Sequence, residues 1–224
     1  MILLTNDDGY FADGIQSVYR ELKQYYKVKV IAPYTEQSEC GHRVTTKHTL
    51  EVVEIKEDIL AVKGTPADCV RIAKHLYGSS IDFCISGVNN GGNLGADIFI
   101  SGTVAAAREA CYHDIPSIAF SQYRKPSVQP NWDVNAIKVR MLYEQLKNRC
   151  EKSVFLNINF PCVDDVLQAE IVECEVDRAP LPLNYDLIES AYRYSGRYAE
   201  RIKTPGFDVY ECFNGKISCS KLSL

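Results

Sequence analysis

The chain has 224 residues, of which 46% are apolar, and this length suits one sizeable α/β domain better than two very small ones. Its 25 Lys and Arg residues against 29 Asp and Glu residues give a formal charge of −4, which offers no broad attraction for a nucleic-acid polymer or an anionic membrane. No apolar run approaches the ~20 residues that span a bilayer, and the first residues, MILLT, lack the features of a signal peptide, so we expect a cytoplasmic protein.

The beginning of the chain reads as short strands and helices. Strands are predicted at residues 1–4, 27–32, 50–55 and 59–62. After the first strand, apolar residues recur at helical spacing, and Asp13 is expected to cap this helix with Gln16 three residues later. The run Thr65-Pro66-Ala67-Asp68 predicts the start of a second helix, which should end near Tyr77 with Gly78 as its stop.

The middle of the chain continues this alternation. Strands are predicted at residues 81–86, 115–120 and 154–159. The glycine- and asparagine-rich loop GVNNGGNLGAD follows the first of these strands and leads to a helix that begins at Ser101-Gly102-Thr103, and a further long helix is predicted at about 132–150. Apolar strands that alternate with helices predict a Rossmann-like three-layer α/β sandwich with a mostly parallel sheet.

The pattern changes after Phe160. Residues 172–177 alternate with period two, and residues 209–220 read as a hairpin that turns at Asn214-Gly215. We therefore expect a tyrosine-rich, antiparallel C-terminal extension that packs on the sheet or reaches a partner subunit. The predicted organisation is one domain, 1–224, with a Rossmann-like core at 1–160 and an oligomerisation extension at 161–224.

Polar residues follow three predicted strands, and ligands of open parallel sheets bind at such strand ends. Asp7 and Asp8 follow the first strand, Ser38 lies in the loop after the second, and Asn89 lies in the glycine-rich loop. If the chain turns at Gly9, the adjacent carboxylates converge, and a divalent cation would offset their repulsion. Oxygen ligands favour Mg²⁺ or Mn²⁺, with Ca²⁺ as an alternative. The plainer interpretation is that N-D-D-G is an ordinary turn and that the other two residues only form loop hydrogen bonds.

The helix start Ser101-Gly102-Thr103 would offer backbone N–H groups and two hydroxyls to an anion. Gly102 would let that anion approach closely. A metal site with only two formal negative charges leaves a dication able to attract a phosphate. Alternatively, Ser101 only caps the helix.

Other catalytic patterns fit less well. The glycine-rich loop lacks G-x-G-x-x-G and G-x-x-x-x-G-K-[ST], so a dinucleotide or P-loop site is not indicated, and there is no G-x-S-x-G elbow. Nine cysteines without a C-x-x-C pair argue against a disulfide framework and a zinc site. Of the four histidines, only His42 in the Ser38 loop could face the site.

Six segments occur in order along nearly the whole chain: TNDDG, APYTEQSECGH, GTPADCV, SGVNNGGNLG, SGTVAAAREA and LNINFP. They resemble the SurE family of stationary-phase survival proteins, metal-dependent nucleoside monophosphate phosphatases, and the ending PGFDVYECFNGKISCSKLSL looks like the C-terminal hairpin of that family. The resemblance is weaker at 179–201 and at Lys216 and Ser220. The resemblance implies metal ligands at Asp7, Asp8, Ser38 and Asn89 and phosphate contacts at Asn93, Ser101, Gly102 and Thr103.

The same resemblance implies hydrolysis of nucleoside 5′- and 3′-monophosphates, with short polyphosphate as a further substrate, and a dimer or tetramer built through a C-terminal arm. We therefore predict a phosphomonoesterase with one divalent ion per subunit, in which Asp7 or Asp8 takes a proton from water or attacks phosphorus directly. A haloacid dehalogenase type phosphatase would need D-x-D spacing, whereas these aspartates are adjacent. A nucleotide-binding regulatory module without catalysis is the remaining alternative.

Overall fold

A computed structural model describes residues 1–126 and 128–224. The strands in these ranges are β1 (Ile2–Thr5), β2 (Val28–Pro33), β3 (Val52–Lys56), β4 (Ile59–Val62), β5 (Phe83–Asn89), β6 (Ser117–Gln122), β7 (Val154–Phe160), β8 (Ile171–Glu173), β9 (Tyr185–Ile188), β10 (Ala191–Tyr194) and β11 (Ile217–Ser223). The α-helices are α1 (Asp13–Leu22), α2 (Pro66–Tyr77), α3 (Gly102–Tyr112), α4 (Trp132–Leu146) and α5 (Asp208–Phe213).

Nine of these strands form one sheet in the order β3-β4-β2-β1-β5-β6-β7-β11-β8. From β4 to β7 every neighbouring pair is parallel, whereas β3 is antiparallel to β4 and β11 is antiparallel to β7. The predicted α/β sandwich with a mostly parallel sheet is therefore confirmed. Strands β9 and β10 form a separate antiparallel hairpin.

Helices cover both faces of the sheet, because successive side chains of a strand point to opposite faces. Leu4 belongs to the core under α1 and α4, together with Ile15 and Val139. Leu3, its neighbour, belongs to the core under α2 and α3, together with Val70. Burial of each such side chain stabilises the fold by roughly 1.5–3 kcal/mol, so both cores hold the strand ends in place.

The start of α2 confirms the sequence prediction. The Thr65 hydroxyl accepts a hydrogen bond from the Asp68 N–H at 3.2 Å, and the Asp68 carboxylate accepts one from the Thr65 N–H at 3.0 Å. The predicted cap of α1 is wrong. Ala12 precedes that helix without a side-chain cap, Asp13 is its first residue, and the Gln16 amide donates instead to the carbonyl of Tyr10.

The predicted hairpin at 209–220 is also wrong. Residues 208–213 form α5, and β11 pairs with β7 and, in parallel, with β8. The helix forms because Asp208 accepts hydrogen bonds from the N–H groups of Gly95 and Asp177, while Val209 and Cys212, three residues apart, are both buried. Of the predicted strand at 172–177, only the start is extended, as the end of β8.

No helix within 1–126 and 128–224 combines the length and the apolar character that crossing a membrane requires.

Candidate metal and phosphate site

A cavity of about 400 Å³ lies at the carboxyl ends of β1, β2 and β5. It brings together six of the eight predicted site residues. Its described lining comprises Asp7, Asp8, Glu36, Ser38, Glu39, Asn89, Asn90, Gly92, Asn93, Asp97, Ile100, Ser101, Leu181, Tyr194, Gly196 and Tyr198. Gly102 and Thr103, the other two predicted residues, lie behind this lining, against Asp7.

Asp7 is buried and is held by the first turn of α3. Its two carboxylate oxygens accept hydrogen bonds from the Thr103 hydroxyl, at 2.5 Å, and from the Thr103 N–H, at 3.1 Å. A Cβ at Gly102 would lie 2.9 Å from Cβ of Asp7, so only glycine lets α3 approach this closely. Burial raises the pKa of Asp7, and the bonds from Thr103 partly offset that rise. The groups of Thr103 that were predicted to bind phosphate are thus already bonded to Asp7.

Asp8 is partly buried beside a second negative charge. Burial, with the charges of Asp7 and Glu36, raises the pKa of Asp8 to about 7, against one opposing hydrogen bond from the N–H of Asn90 at 3.1 Å. None of the described residues that line the cavity is Lys or Arg. The two carboxylates therefore lie in a cavity without a basic side chain to offset their charge.

Ser38 and Asn89 add neutral oxygens to this end of the cavity. The Ser38 hydroxyl donates to the carboxylate of Glu36 at 2.6 Å, and the Asn89 amide nitrogen donates to the carbonyl of Gly91 at 2.8 Å. The second of these bonds fixes the orientation of the amide group. Within the described ranges, no three His, Cys, Asp or Glu side chains form a group that could hold a metal ion. A metal ion bound by Asp7 and Asp8 would therefore need neutral oxygens such as those of Ser38 and Asn89.

Asn93 and Ser101 reach the cavity from well-supported positions. The side-chain nitrogen of Asn93 donates to the Ser121 hydroxyl at 2.7 Å, and its backbone N–H donates to the Asn159 side chain at 2.7 Å. The Ser101 hydroxyl oxygen accepts from the N–H of Val104 at 3.0 Å, so Ser101 does cap α3. Each side chain keeps one proton that can be donated to an anion, since an amide carries two and a hydroxyl one.

His42 does not face the cavity, so that expectation is wrong. One of its ring nitrogens lies 2.7 Å from the carboxylate of Glu109 on α3, and Glu109 also binds Arg71 and His113, each at 3.0 Å. Burial alone would raise the pKa of Glu109, but the hydrogen bonds from His42 and Arg71 lower it to about 2. The histidine thus ties the Ser38 loop to α3 through a charged group.

Residues of the C-terminal extension also line the cavity, which the sequence did not indicate. They are Leu181, Tyr194, Gly196 and Tyr198. The Tyr198 hydroxyl donates to the carboxylate of Asp97 at 2.7 Å, and Arg201 forms an ion pair with the same carboxylate at 2.7 Å. No local pattern marks these residues, because their position depends on contacts between segments about a hundred residues apart in the chain. Glu36 also lines the cavity and was not predicted from the sequence, although it lies two residues before Ser38.

The sequence model of the family described as Survival protein SurE matches residues 2–179. A protein of Nostoc sp. strain PCC 7120, whose name marks it as a candidate 5′-nucleotidase, is 41% identical over 223 residues, which cover 99% of this chain and 98% of that protein. The 5′-nucleotidase SurE of Geobacter sulfurreducens is 43% identical over 161 residues, covering 71% of this chain and 62% of the relative. The crystal structure of the SurE protein from Aquifex aeolicus superposes with a TM-score of 0.87 at 29% identity, covering 99% and 92% of the two chains.

Proposed function

This chain belongs to the SurE family, and we propose that it is a 5′-nucleotidase, which hydrolyses nucleoside 5′-monophosphates to a nucleoside and phosphate. We include 3′-monophosphates as a second substrate. The observation that carries this proposal is the cavity at the strand ends, where two acidic residues without a basic partner lie beside the start of α3. The two carboxylates could bind a cation, and that cation would allow a phosphate group to bind beside them.

The proposed cofactor is one Mg²⁺ or Mn²⁺ per subunit, held by Asp7, Asp8, Ser38 and Asn89. The residues fit such an ion, because all four offer oxygen atoms. Burial raises the pKa values of both aspartates, and the charges of Asp7 and Glu36 add to the rise for Asp8, so a cation would stabilise their charged forms. When bound, a divalent ion supplies positive charge that draws in a phosphate and makes water more acidic.

The side chains around the ion take the remaining roles in the proposed reaction. Attack of water forms a new bond to phosphorus as the bond to the ester oxygen breaks, and it builds charge on the other phosphate oxygens. The ester oxygen leaves with the nucleoside and takes a proton from solvent. Asn93 and Ser101 donate their remaining protons to those oxygens. Asp7, oriented by Thr103, accepts the proton of the attacking water, and direct attack by Asp7 is the alternative role.

Phosphate release from a panel of nucleoside 5′- and 3′-monophosphates tests the proposal. We expect release with Mg²⁺ or Mn²⁺, loss of release in EDTA, and recovery when the metal ion is added back. A regulatory nucleotide-binding module would bind AMP without releasing phosphate. The proposal is wrong if the purified protein, supplied with either ion, releases phosphate from none of the panel.

A further inference from the structure

Strand β7 carries two asparagine side chains that have no contact with solvent. Its sequence LNINF alternates apolar and polar residues, a pattern that in many sheets turns the polar face toward water. Asn157 and Asn159 are nevertheless 0% exposed. They share one face of the strand with Phe155, which belongs to an apolar core with Val104 of α3. Burial of two amides beside such a core is costly unless their polar atoms are bonded.

Both amides bond to one residue, Asn93 in the loop after β5. The side-chain oxygen of Asn159 accepts a hydrogen bond from the N–H of Asn93 at 2.7 Å, and its side-chain nitrogen donates to the carbonyl of Asn93 at 3.1 Å. The side-chain nitrogen of Asn157 donates to the same carbonyl at 2.8 Å. A carboxamide offers a donor and an acceptor in one planar group, whereas a carboxylate only accepts, so the chemistry of Asn159 matters as well as its size.

The side chain of Asn93 is held from the neighbouring strand β6. Its nitrogen donates one proton to the hydroxyl of Ser121 at 2.7 Å, and Ser121 is the register partner of Asn159. The second proton of this amide remains for the cavity, which Asn93 lines. The backbone and the side chain of Asn93 are thus both fixed in the free protein, so little ordering is needed when an anion binds. We call Asn157, Asn159 and Ser121 the Asn93 clamp.

The clamp leaves one polar atom without a bond. Among the residues that the structure describes, no group bonds to the side-chain oxygen of Asn157, although this atom is buried. An unpaired buried oxygen destabilises a fold, and an apolar side chain of similar shape would avoid that cost. The bond from Asn157 is also the second one to a carbonyl that Asn159 already satisfies. Stability therefore does not account for an asparagine at position 157, and a role in the nearby site does.

We infer that Asn157, Asn159 and Ser121 are positioning residues of the phosphate site. They hold Asn93 so that its remaining amide proton meets the phosphate oxygens as charge builds on them. This inference rests on the proposed function, in which Asn93 donates to phosphate. It adds three residues, none of which lines the cavity, and it assigns a function to the buried polar face of β7.

Asn157→Leu tests this role, because it removes one bond to Asn93 together with the unpaired oxygen. We expect kcat for AMP at saturating Mg²⁺ to fall about tenfold, since a small misplacement of a donor slows the reaction. The melting temperature should stay at the wild-type value or rise. The matched control is Ser218→Ala on β11, which should leave kcat unchanged. Ser218 is the other register partner of Asn159, and its buried hydroxyl likewise has no bonding partner within the described ranges.

A double-mutant cycle with Asn93→Ala separates positioning from a purely structural role. Asn93→Ala alone should lower kcat roughly a hundredfold, as the loss of one transition-state donor does. In that background Asn157→Leu should lower kcat no further, because the clamp then has no amide to position. An unchanged kcat in Asn157→Leu alone, or an equal loss in both backgrounds, would overturn the inference. Ser121→Ala provides the same comparison if Asn157→Leu does not fold.

If the wild-type protein releases phosphate from no nucleotide, the proposed function fails by itself, and the clamp is tested by binding instead. In equilibrium dialysis with Mg²⁺, inorganic phosphate should bind about tenfold more weakly to Asn157→Leu than to the wild-type protein. The two should not differ when both also carry Asn93→Ala. Equal binding to the wild-type protein and to Asn157→Leu, or binding to neither, would overturn the inference.

Discussion

Asp8 carries a charge that the folded protein stabilises poorly without a cation. Its pKa is raised to about 7 by burial and by the charges of Asp7 and Glu36, whereas its ordinary value is 3.8. Between these two values the folded protein binds a proton that the unfolded chain has released. The free energy of unfolding of the metal-free protein should therefore fall as pH rises from about 4 to about 7 and then level off.

Asp8→Asn should remove this penalty while it keeps the shape of the side chain. In EDTA at pH 8 the variant should melt at a higher temperature than the wild-type protein, and the two should converge near pH 4. Phosphate release should fall by at least about a hundredfold, because a proposed metal ligand is lost. Thermal unfolding across this pH range and a phosphate-release assay check both effects. The exposed Asp164→Asn is the control, and a variant that melts at or below the wild-type temperature at pH 8 would contradict the account.

At the scale of elements, the loop between β2 and β3 has no regular structure of its own, yet it carries Ser38. Contacts with helices hold it in place. The Gly41 N–H donates to the carbonyl of Ile100 at 3.0 Å, His42 binds Glu109, and Thr45 binds Asp68 through both its N–H and its hydroxyl. The position of a proposed metal ligand therefore depends on residues that do not touch the metal site.

Glu109→Gln tests this dependence. The substitution keeps the size of the side chain but removes the negative charge that His42 and Arg71 share. We expect the Mg²⁺ concentration for half-maximal activity to rise about tenfold, with the maximal rate recovered at saturating Mg²⁺. Stability should fall by about 1–3 kcal/mol. Glu54→Gln, at an exposed position on β3, is the control. A loss of stability with an unchanged Mg²⁺ requirement would assign Glu109 a purely structural role.

The elements also show why sequence predicts some features and not others. The start of α2 was predictable because Thr65 and Asp68 satisfy each other's backbone N–H groups within one turn. The helix at 208–213 was not predictable, because the alternation from Val209 to Phe213 also fits a strand. The helix is stabilised by the hydrogen bond from the backbone N–H of the distant Gly95 to Asp208. Hydrogen bonds between residues close in sequence can thus be predicted from the sequence, whereas bonds between distant segments cannot.

The residues of the cavity also differ in whether their positions can be predicted from the sequence. The positions of Asp7 and Asp8 at the cavity follow from the general rule that ligands bind at strand ends, so sequence alone could indicate them. The positions of Leu181 and Tyr194 follow from the path of residues 179–201 over the cavity, and this path depends on the contact of Tyr198 with Asp97. The acidic end of the cavity is therefore predictable from the sequence, whereas its apolar end is not.

On the scale of the whole molecule, the β9–β10 hairpin leaves several large apolar side chains in solvent. Leu183, Leu187 and Tyr192 are 83%, 63% and 73% exposed. Leu187 and Tyr192 lie opposite each other on the two strands, and exposed apolar surface of this kind marks an interaction site more often than an ordinary surface. We therefore propose that the hairpin joins copies of this chain into a dimer or a tetramer.

Leu187→Arg should separate the copies, because a charge would be buried without a partner at the contact. Light scattering after size-exclusion chromatography should show a dimer or tetramer for the wild-type protein and a monomer for the variant. Leu76→Arg on α2, which is 51% exposed in the free chain, should leave the assembly intact. A wild-type monomer at micromolar concentration would contradict the proposal.

The place of β11 in the sheet has a consequence for biosynthesis. This strand is translated after the ten others, yet it lies between β7 and β8 and is the only partner of β8 within the described sheet. Until the ribosome releases residues 217–223, one edge of β7 and all of β8 therefore lack hydrogen-bonding partners. Such an edge can pair with a neighbouring nascent chain, so a partly synthesised chain that lacks residues 217–223 is exposed to aggregation.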